Sequence, residues 1–204
     1  MAVELKKGQK VNLEKSSGTG LGEILINLNW NPGQQNQNRG FFKALFSSGN
    51  GNIDLDLGCL FELKNGEKSA VQALGNSFGS LQTSPYIALD GDDRTGAAAG
   101  GENLRINGAK IREIKRILVY TFIYEGAANW READGIVTVQ CPGTPDILVR
   151  MDDYNSSQRM CAIALLENVN DETFSVEKIV QFFSGHSAMD RAFNWGLQWQ
   201  PGRK

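Results

Sequence analysis

The clearest pattern along the chain is a strict alternation of apolar and other side chains between residues 53 and 63. Every second position is apolar: Ile53, Leu55, Leu57, Cys59, Phe61 and Leu63. The positions between them hold Asp54, Asp56, Gly58, Leu60 and Glu62. A period of two residues is typical of a β-strand with one face on a core. The pattern therefore predicts a strand whose second face, with both aspartates, points away from the core.

Similar segments, rich in Val, Ile, Phe and Tyr and separated by polar turns, recur along the chain. They are residues 23–30, 69–74, 86–89, 103–106, 116–125, 135–141, 146–151, 160–168 and 174–183. Many short strands with polar turns predict an all-β fold, a two-sheet β-sandwich, rather than an α/β fold. The Asn65-Gly66 pair predicts a hairpin with a type I′ turn between the strand at 53–63 and the next strand.

One short helix is predicted near the end of the sequence. Ser187 would cap it, and Asp190 three residues later would complete a weak capping box. Its inward-facing side chains would be Met189, Ala192 and Phe193. His186, the single histidine, precedes this cap and is interpreted as a turn residue, and residues 195–199 are predicted to form a final packed strand.

The organisation of the chain predicts a single β-sandwich domain over residues 1–204, with a long inserted loop at about 31–52. This loop is polar except for Phe41 to Phe46, which holds three Phe and one Leu. Either these aromatic residues fold back onto the core, or they form an apolar patch that supports self-association or contacts a partner or a membrane surface.

Charge and composition exclude several classes of protein. A net charge of −2 gives no basic footprint for a nucleic acid. The start of the sequence lacks the apolar region of a signal peptide, and no run is long enough to span a membrane, which predicts a cytoplasmic protein. Cys59, Cys141 and Cys161 form no Cys-x-x-Cys pair and are predicted to be buried thiols in a reducing compartment.

Asp54 and Asp56 are the first candidate site residues. On one face of a strand they lie roughly 7 Å apart. Two like charges at this distance raise each other's pKa unless a cation lies between them. Oxygen ligands on a rigid strand suit a hard cation such as Ca²⁺. The alternative is that both are solvated residues on an exposed face.

A second acidic segment, residues 89–103, is rich in glycine. Asp92, Asp93 and Glu102 can supply carboxylate oxygens, and the glycines allow a tight path in which backbone carbonyls turn inward. The spacing is not that of an EF-hand, and no Gly-Lys-Ser/Thr follows as in a phosphate loop. Taken alone, the segment is better explained as an ordinary polar loop between strands.

Taken together, the two segments resemble a known signature. Ile53-Asp54-Leu55-Asp56, followed downstream by Gly91–Gly96, resembles the TerD-domain family of bacterial tellurite-resistance and stress proteins. The runs 54–59, 71–76 and 122–126 are most similar to its TerA-like branch. The resemblance covers the chain from about residue 22 to residue 165.

This resemblance implies a β-sandwich that binds Ca²⁺ through Asp54, Asp56, Asp92, Asp93 and Glu102. In the family a longer acidic run usually follows the Thr-Gly pair, whereas residues 97–101 here are Ala and Gly. Fewer carboxylates imply one bound ion rather than two. The implied partners are other tellurite-resistance and stress proteins, in a complex peripheral to the inner membrane.

The sequence favours a binding module over an enzyme. It has no Gly-x-Ser-x-Gly elbow, and one histidine cannot form a metal-histidine cluster. The leading hypothesis is a calcium-binding, non-enzymatic interaction module of a tellurite-resistance and stress-response system. Two alternatives stay open: a hydrolase that uses metal-bound water, and a lectin-like sandwich in which the metal positions a ligand.

Overall fold

The computed structural model describes residues 2–14, 20–30, 53–90, 101–125, 130–151 and 157–200. Within these ranges the chain forms thirteen strands, two short α-helices and two 3₁₀ turns. The strands are β1 Val3–Glu4, β2 Lys10–Asn12, β3 Glu23–Asn29, β4 Asp54–Leu63, β5 Lys68–Gln72, β6 Gly79–Ser80, β7 Ile87–Leu89, β8 Glu102–Asn107, β9 Ile114–Glu125, β10 Ile136–Gln140, β11 Ile147–Arg150, β12 Met160–Val169 and β13 Thr173–Phe183. The helices are α1 Trp130–Ala133 and α2 His186–Ala192, and the 3₁₀ turns are Leu74–Asn76 and Gly108–Glu113.

The described strands form two sheets. One has seven strands in the order β1-β11-β10-β3-β8-β7-β6, and the other has six in the order β2-β13-β12-β9-β4-β5. Neighbours are antiparallel except for β1 and β11. The predicted all-β sandwich with a short helix near the end of the sequence is therefore confirmed. In the part of the chain that is described, no helix is long and apolar enough to cross a membrane.

The strands that the sequence predicted between residues 23 and 183 all form, with ends that differ by one or two residues, whereas the strand predicted at residues 195–199 does not form. The strands that the sequence did not predict are β1, β2 and β6. They have only two or three residues and lie at sheet edges, so they are too short to show a period of two. The inserted loop at 31–52, with Phe41 to Phe46, lies outside the described residues.

The main core lies between the two sheets. Alternate residues of β3 (Ile24, Ile26 and Leu28) and of β4 (Leu55 and Leu57) are completely buried there. Each such aliphatic side chain stabilises the fold by about 1.5–3 kcal/mol relative to an exposed position. The apolar face of the strand at 53–63 therefore packs into the core, as its alternating pattern predicted.

The hairpin between β4 and β5 forms as predicted, but its turn differs. The Gly66 amide donates to the Leu63 carbonyl, and the Leu63 amide donates to the Glu67 carbonyl, so the loop has three residues. Gly66 has a positive φ of 91°, whereas Asn65 does not have a positive φ. The predicted type I′ turn, which needs two positive φ values, is therefore wrong, and the loop matches a type I turn followed by a left-handed glycine.

The segment after β13 also departs from the prediction. Helix α2 begins at His186, its N-cap is Gly185, and no side chain caps it, so the Ser187 cap is wrong. Met189 is buried, but Ala192 is exposed and Phe193 is half-buried. Residues 195–200 do not form a strand.

This segment covers the outer face of the six-stranded sheet. Met189 and Trp195 pack against outward-facing residues of β4, β9 and β12 in a second apolar cluster. We call the residues of α2 together with 193–200 the C-terminal cover. The six-stranded sheet is therefore buried on both faces over part of its area.

Candidate functional site

Asp54 and Asp56 lie on the outer face of β4, as the alternation predicted, but they are not solvated. Asp54 is 8% exposed and Asp56 is completely buried. All ten residues of β4 are buried, on both faces of the strand. The alternative of two carboxylates on a solvent-exposed face is therefore wrong.

The burial arises because neighbouring aromatic residues share this outer face. Phe122 of β9 pairs with Asp56, and Tyr120 pairs with Gly58. The His186 ring of the C-terminal cover contacts both aromatic rings, with centroid distances of 5.5 Å to Tyr120 and 5.3 Å to Phe122. The period of a strand shows which residues share a face, but not what covers that face.

Gly58 permits this arrangement. A Cβ atom at this position would lie 2.8 Å from the Tyr120 ring, closer than real side chains approach. The missing side chain therefore lets the Tyr120 ring approach β4 closely, near Asp56. Burial raises the Tyr120 pKa well above its usual value, and the neighbouring Asp56 carboxylate adds to this shift. Tyr120 is accordingly a neutral hydrogen-bond donor beside the acidic pair.

Glu102 connects the two sheets at the same strand. It is the first residue of β8 in the seven-stranded sheet and is only 3% exposed. Its Oε2 atom accepts a hydrogen bond of 2.5 Å from the Leu57 amide of β4. The pairing of β5 with β4 begins at Gly58, so the Leu57 amide lies just beyond the end of β5. Glu102 thus binds the backbone of the acidic strand where no described strand pairs with it on that side.

The structure describes three of the five predicted metal ligands. Asp54, Asp56 and Glu102 are described, whereas Asp92 and Asp93 lie outside the described residues. Within the described ranges, no three or more His, Cys, Asp or Glu side chains are grouped closely enough to hold a metal ion. Oδ1 of Asp54 and Oδ2 of Asp56 are buried and accept no hydrogen bond, although both residues have other interactions. These two oxygens have the chemistry that a hard cation requires.

A third outer-face carboxylate of β4 has a structural role. Glu62 is 6% exposed and accepts hydrogen bonds from Lys115 Nζ at 2.7 Å and Arg116 Nε at 2.6 Å. Burial by itself would raise the Glu62 pKa, but these two cations more than offset it, and the pKa lies below its usual value. The charge of Glu62 is therefore balanced within the protein.

The three cysteines are buried and form no disulfide, as predicted. Cys59 and Cys161 are completely buried, and Cys141 is 5% exposed. Burial raises the Cys59 pKa to about 12, so at neutral pH the thiol is protonated and a poor nucleophile. This environment suits a small apolar side chain rather than a redox centre.

One residue that packs on the outer face was not predicted to do so from the sequence. His186 was interpreted as a turn residue, but it begins α2 and packs among Tyr120, Phe122 and Trp199. Burial lowers its pKa to about 4, so the imidazole is neutral at physiological pH. The sequence did show three ring side chains, His186, Trp195 and Trp199, soon after the last strand. They follow no strand or helix period, so the sequence could not show which face of the sandwich they cover.

The fold and the site together define this chain as an all-β sandwich protein with a buried pair of aspartates on one strand. The family model described as the TerD domain matches residues 1–178 of the chain. The chain therefore belongs to the TerD-domain family, which confirms the resemblance found in the sequence. The match ends within β13, so the C-terminal cover lies beyond it.

Two relatives extend the comparison. The chain is 45% identical over 199 residues to a tellurium resistance protein TerA from Alcaligenes sp, covering 98% of this chain and 57% of that protein. It is 33% identical over 176 residues to the stress response protein SCP2 of Bacillus subtilis (strain 168), covering 85% and 82% of the two chains. The chain thus spans little more than half of the length of the Alcaligenes relative.

Two crystal structures share the fold. One is a protein of unknown function, with a TM-score of 0.60 and 14% identity over 88% of this chain and 100% of that chain. The other is a homologue of the telluride resistance protein TerD from Streptomyces coelicolor A3(2), with a TM-score of 0.56 and 16% identity over 84% and 95% of the two chains. At this identity the likeness supports the fold alone.

Proposed function

We propose that this chain is a calcium-binding, non-enzymatic interaction module of a bacterial tellurite-resistance and stress-response system. The observation that carries the calcium part is the burial of Asp54 and Asp56 on one face of β4, an interior strand of its sheet. Membership of the TerD-domain family, and the names of the Alcaligenes and Bacillus relatives, support the biological setting.

Burying two carboxylates side by side is costly. Each loses hydration when it leaves water, and the two negative charges repel each other. A divalent cation offsets both effects, and Ca²⁺ takes six to eight oxygen ligands in flexible geometry. In this proposal Asp54 and Asp56 provide the rigid side of the site. Asp92, Asp93 and loop carbonyls supply further oxygens around a single ion, and Glu102, which binds the Leu57 amide of the same strand, joins them once its side chain turns toward the two aspartates.

The ion would supply positive charge and join β4 to the segment between β7 and β8. That segment, residues 91–100, connects the end of β7 to the start of β8. Glu102 already attaches the start of β8 to the Leu57 amide of β4. This contact brings the start of β8 to the acidic strand. The effect of binding would be to fix this segment on β4 rather than to perform a reaction.

The proposed setting follows from the same reasoning. We place the module in the cytoplasm, peripheral to the inner membrane through its partners, which are other proteins of the tellurite-resistance and stress response. No nucleic acid is among the proposed partners, since the net charge is −2. Self-association through the loop at 31–52 belongs to the same proposal.

The test is a calorimetric titration with Ca²⁺, with Mg²⁺ as the competing ion. We expect a stoichiometry near one, and we expect Asp54→Ala to weaken binding at least tenfold, or about 1.4 kcal/mol. Asp171→Asn is the matched control, because Asp171 is a surface carboxylate paired with Lys64. Unchanged affinity in Asp54→Ala would refute the assignment, and two tight sites would show that more ligands are present than the loop composition predicts.

Removal of the ion should also lower the melting temperature. A ligand that binds only the native state at a hundredfold excess over its Kd stabilises it by about 2.7 kcal/mol. Asp56→Asn should make the melting temperature much less dependent on Ca²⁺. The substitution weakens ion binding, and it also removes the repulsion between two buried charges in the ion-free protein. In excess chelator we therefore expect Asp56→Asn to melt at or above the temperature of the unaltered protein. Identical melting curves with Ca²⁺ and with chelator would contradict the proposal.

A further inference from the structure

A cavity of about 510 Å³ lies beside the C-terminal cover, and the acidic pair is not part of its lining. Its lining includes Gln72, Ser184, His186, Arg191, Trp199 and Gln200. A volume of this size is in the range of small-molecule sites, which typically measure about 300–1,000 Å³. All of these residues except Gln72 lie beyond residue 178, where the TerD match ends.

The polar part of the lining is fixed by hydrogen bonds. The Gln72 Oε1 atom accepts a hydrogen bond of 2.6 Å from the Tyr120 hydroxyl and lies 3.0 Å from His186 Nε2. Since an amide oxygen only accepts, His186 carries its proton on Nε2. This arrangement uses the oxygen of Gln72 and leaves its amide NH₂ group as the donor that can meet a ligand.

The aromatic part of the lining is fixed by ring contacts and one hydrogen bond. The His186 and Trp199 rings lie 4.6 Å apart at an angle of 39°, and the His186 ring packs edge-on against Tyr120. The Trp199 Nε1 atom donates to Asp190 Oδ2 at 3.2 Å, which holds the indole in place. The two rings pack against each other and form a fixed aromatic wall before any ligand arrives.

The charge of the cavity favours an anion. Among the described lining residues, Arg191 is the only one with a charge at neutral pH, because burial keeps His186 neutral. Asp190, the nearest carboxylate in sequence, accepts hydrogen bonds from the Gly196 and Leu197 amides and is not a lining residue. A ligand that brings one negative charge thus meets a cation without an acidic neighbour in the lining.

We propose that this cavity is a binding site for a small organic anion with a planar, unsaturated body. Arg191 binds the anionic group, the Gln72 amide and the hydroxyl of Ser184 donate hydrogen bonds to it, and the Trp199 ring, supported by His186, packs against the planar part. A guanidinium is well suited to an anionic oxygen pair, and an aromatic wall adds contact area that a simple inorganic ion cannot use. The site is independent of Ca²⁺ and so stands apart from the proposed function.

The proposal can be tested by NMR titration of the ¹⁵N-labelled protein with three probes of the same shape. Benzoate carries the negative charge, benzamide is neutral and benzylamine is positive. We expect benzoate to shift the amide signals of Gly185 to Ala188 and the indole signal of Trp199, with a Kd below about 10 mM. Benzamide should bind at least tenfold more weakly, and benzylamine and inorganic phosphate should cause no saturable shift at these signals.

Two arginine variants complete the experiment. Arg191→Gln should weaken benzoate binding at least tenfold while leaving the other amide signals in place, because Arg191 is exposed. Arg112→Gln removes an exposed arginine of the 3₁₀ turn at 108–113 and should leave benzoate binding unchanged. Equal affinity for benzoate and benzamide, unchanged binding in Arg191→Gln, or no shift with benzoate at about 10 mM would each overturn the proposal.

Discussion

Replacing Trp195 with alanine is expected to lower the free energy of unfolding by about 3–5 kcal/mol, the usual cost of truncating a buried Trp. Trp195 is 1% exposed, and its indole packs in the outer-face cluster of the six-stranded sheet. Its Nε1 atom donates to the Phe61 carbonyl at 3.0 Å, and the Arg116 guanidinium lies 3.8 Å above the ring. The variant therefore removes packing, a hydrogen bond and a cation–π contact together.

Chemical denaturation with and without Ca²⁺ measures this effect. Trp195→Phe is the matched control, because it keeps an aromatic ring but loses the hydrogen bond to the Phe61 carbonyl, and we expect it to cost about 1–3 kcal/mol. The difference between wild type and Trp195→Ala should be the same at both ion conditions, because Trp195 is not part of the proposed ion site. A loss below about 1 kcal/mol in Trp195→Ala would show that the C-terminal cover adds little to the fold.

The strands were predictable because their information is local. In β4 and β3, alternation alone placed Leu55, Leu57, Ile24 and Ile26 on faces that proved to be buried between the sheets. A period of two residues follows directly from strand geometry, so it needs no knowledge of neighbouring elements. The edge strands β1 and β2 escaped prediction because two or three residues cannot show that period.

The candidate site was predictable only in part. The sequence placed Asp54 and Asp56 on the same face of one strand, but their burial depends on Tyr120 and Phe122 of β9, which are more than sixty positions away. The contact of Glu102 with the Leu57 amide depends on where the pairing of β5 with β4 begins. Contacts between distant segments of this kind leave no periodic trace in the sequence.

The cavity was not predictable at all. It depends on how residues 195–200 cross the outer face without forming a strand, whereas the sequence analysis predicted a strand there. Backbone groups that lack a strand partner must be satisfied in another way. Here the carboxylate of Asp190 accepts from the Gly196 amide at 2.9 Å and from the Leu197 amide at 3.0 Å. A single side chain thus replaces the pairing that a strand would have provided.

Asp190→Ala is expected to destabilise the protein by about 3 kcal/mol, because loss of a buried charged acceptor leaves donors unsatisfied. Asp190 is 3% exposed, and its Oδ2 atom also accepts from the Trp199 indole. The same variant should therefore release Trp199 from the cavity wall and abolish benzoate binding.

Denaturation midpoints and the NMR signal of the Trp199 indole report these two effects separately. Asp190→Asn keeps one acceptor oxygen but turns an NH₂ group toward a backbone or indole donor, so we expect an intermediate loss of stability. Asp171→Asn, at a surface carboxylate, is the control for a simple change of net charge and should stay within about 0.5 kcal/mol of wild type. If Asp190→Ala were equally mild and the Trp199 signal did not move, the carboxylate would not be what orders the C-terminal cover, and the cavity wall would have to be held by the apolar contacts of Met189 and Trp195 instead.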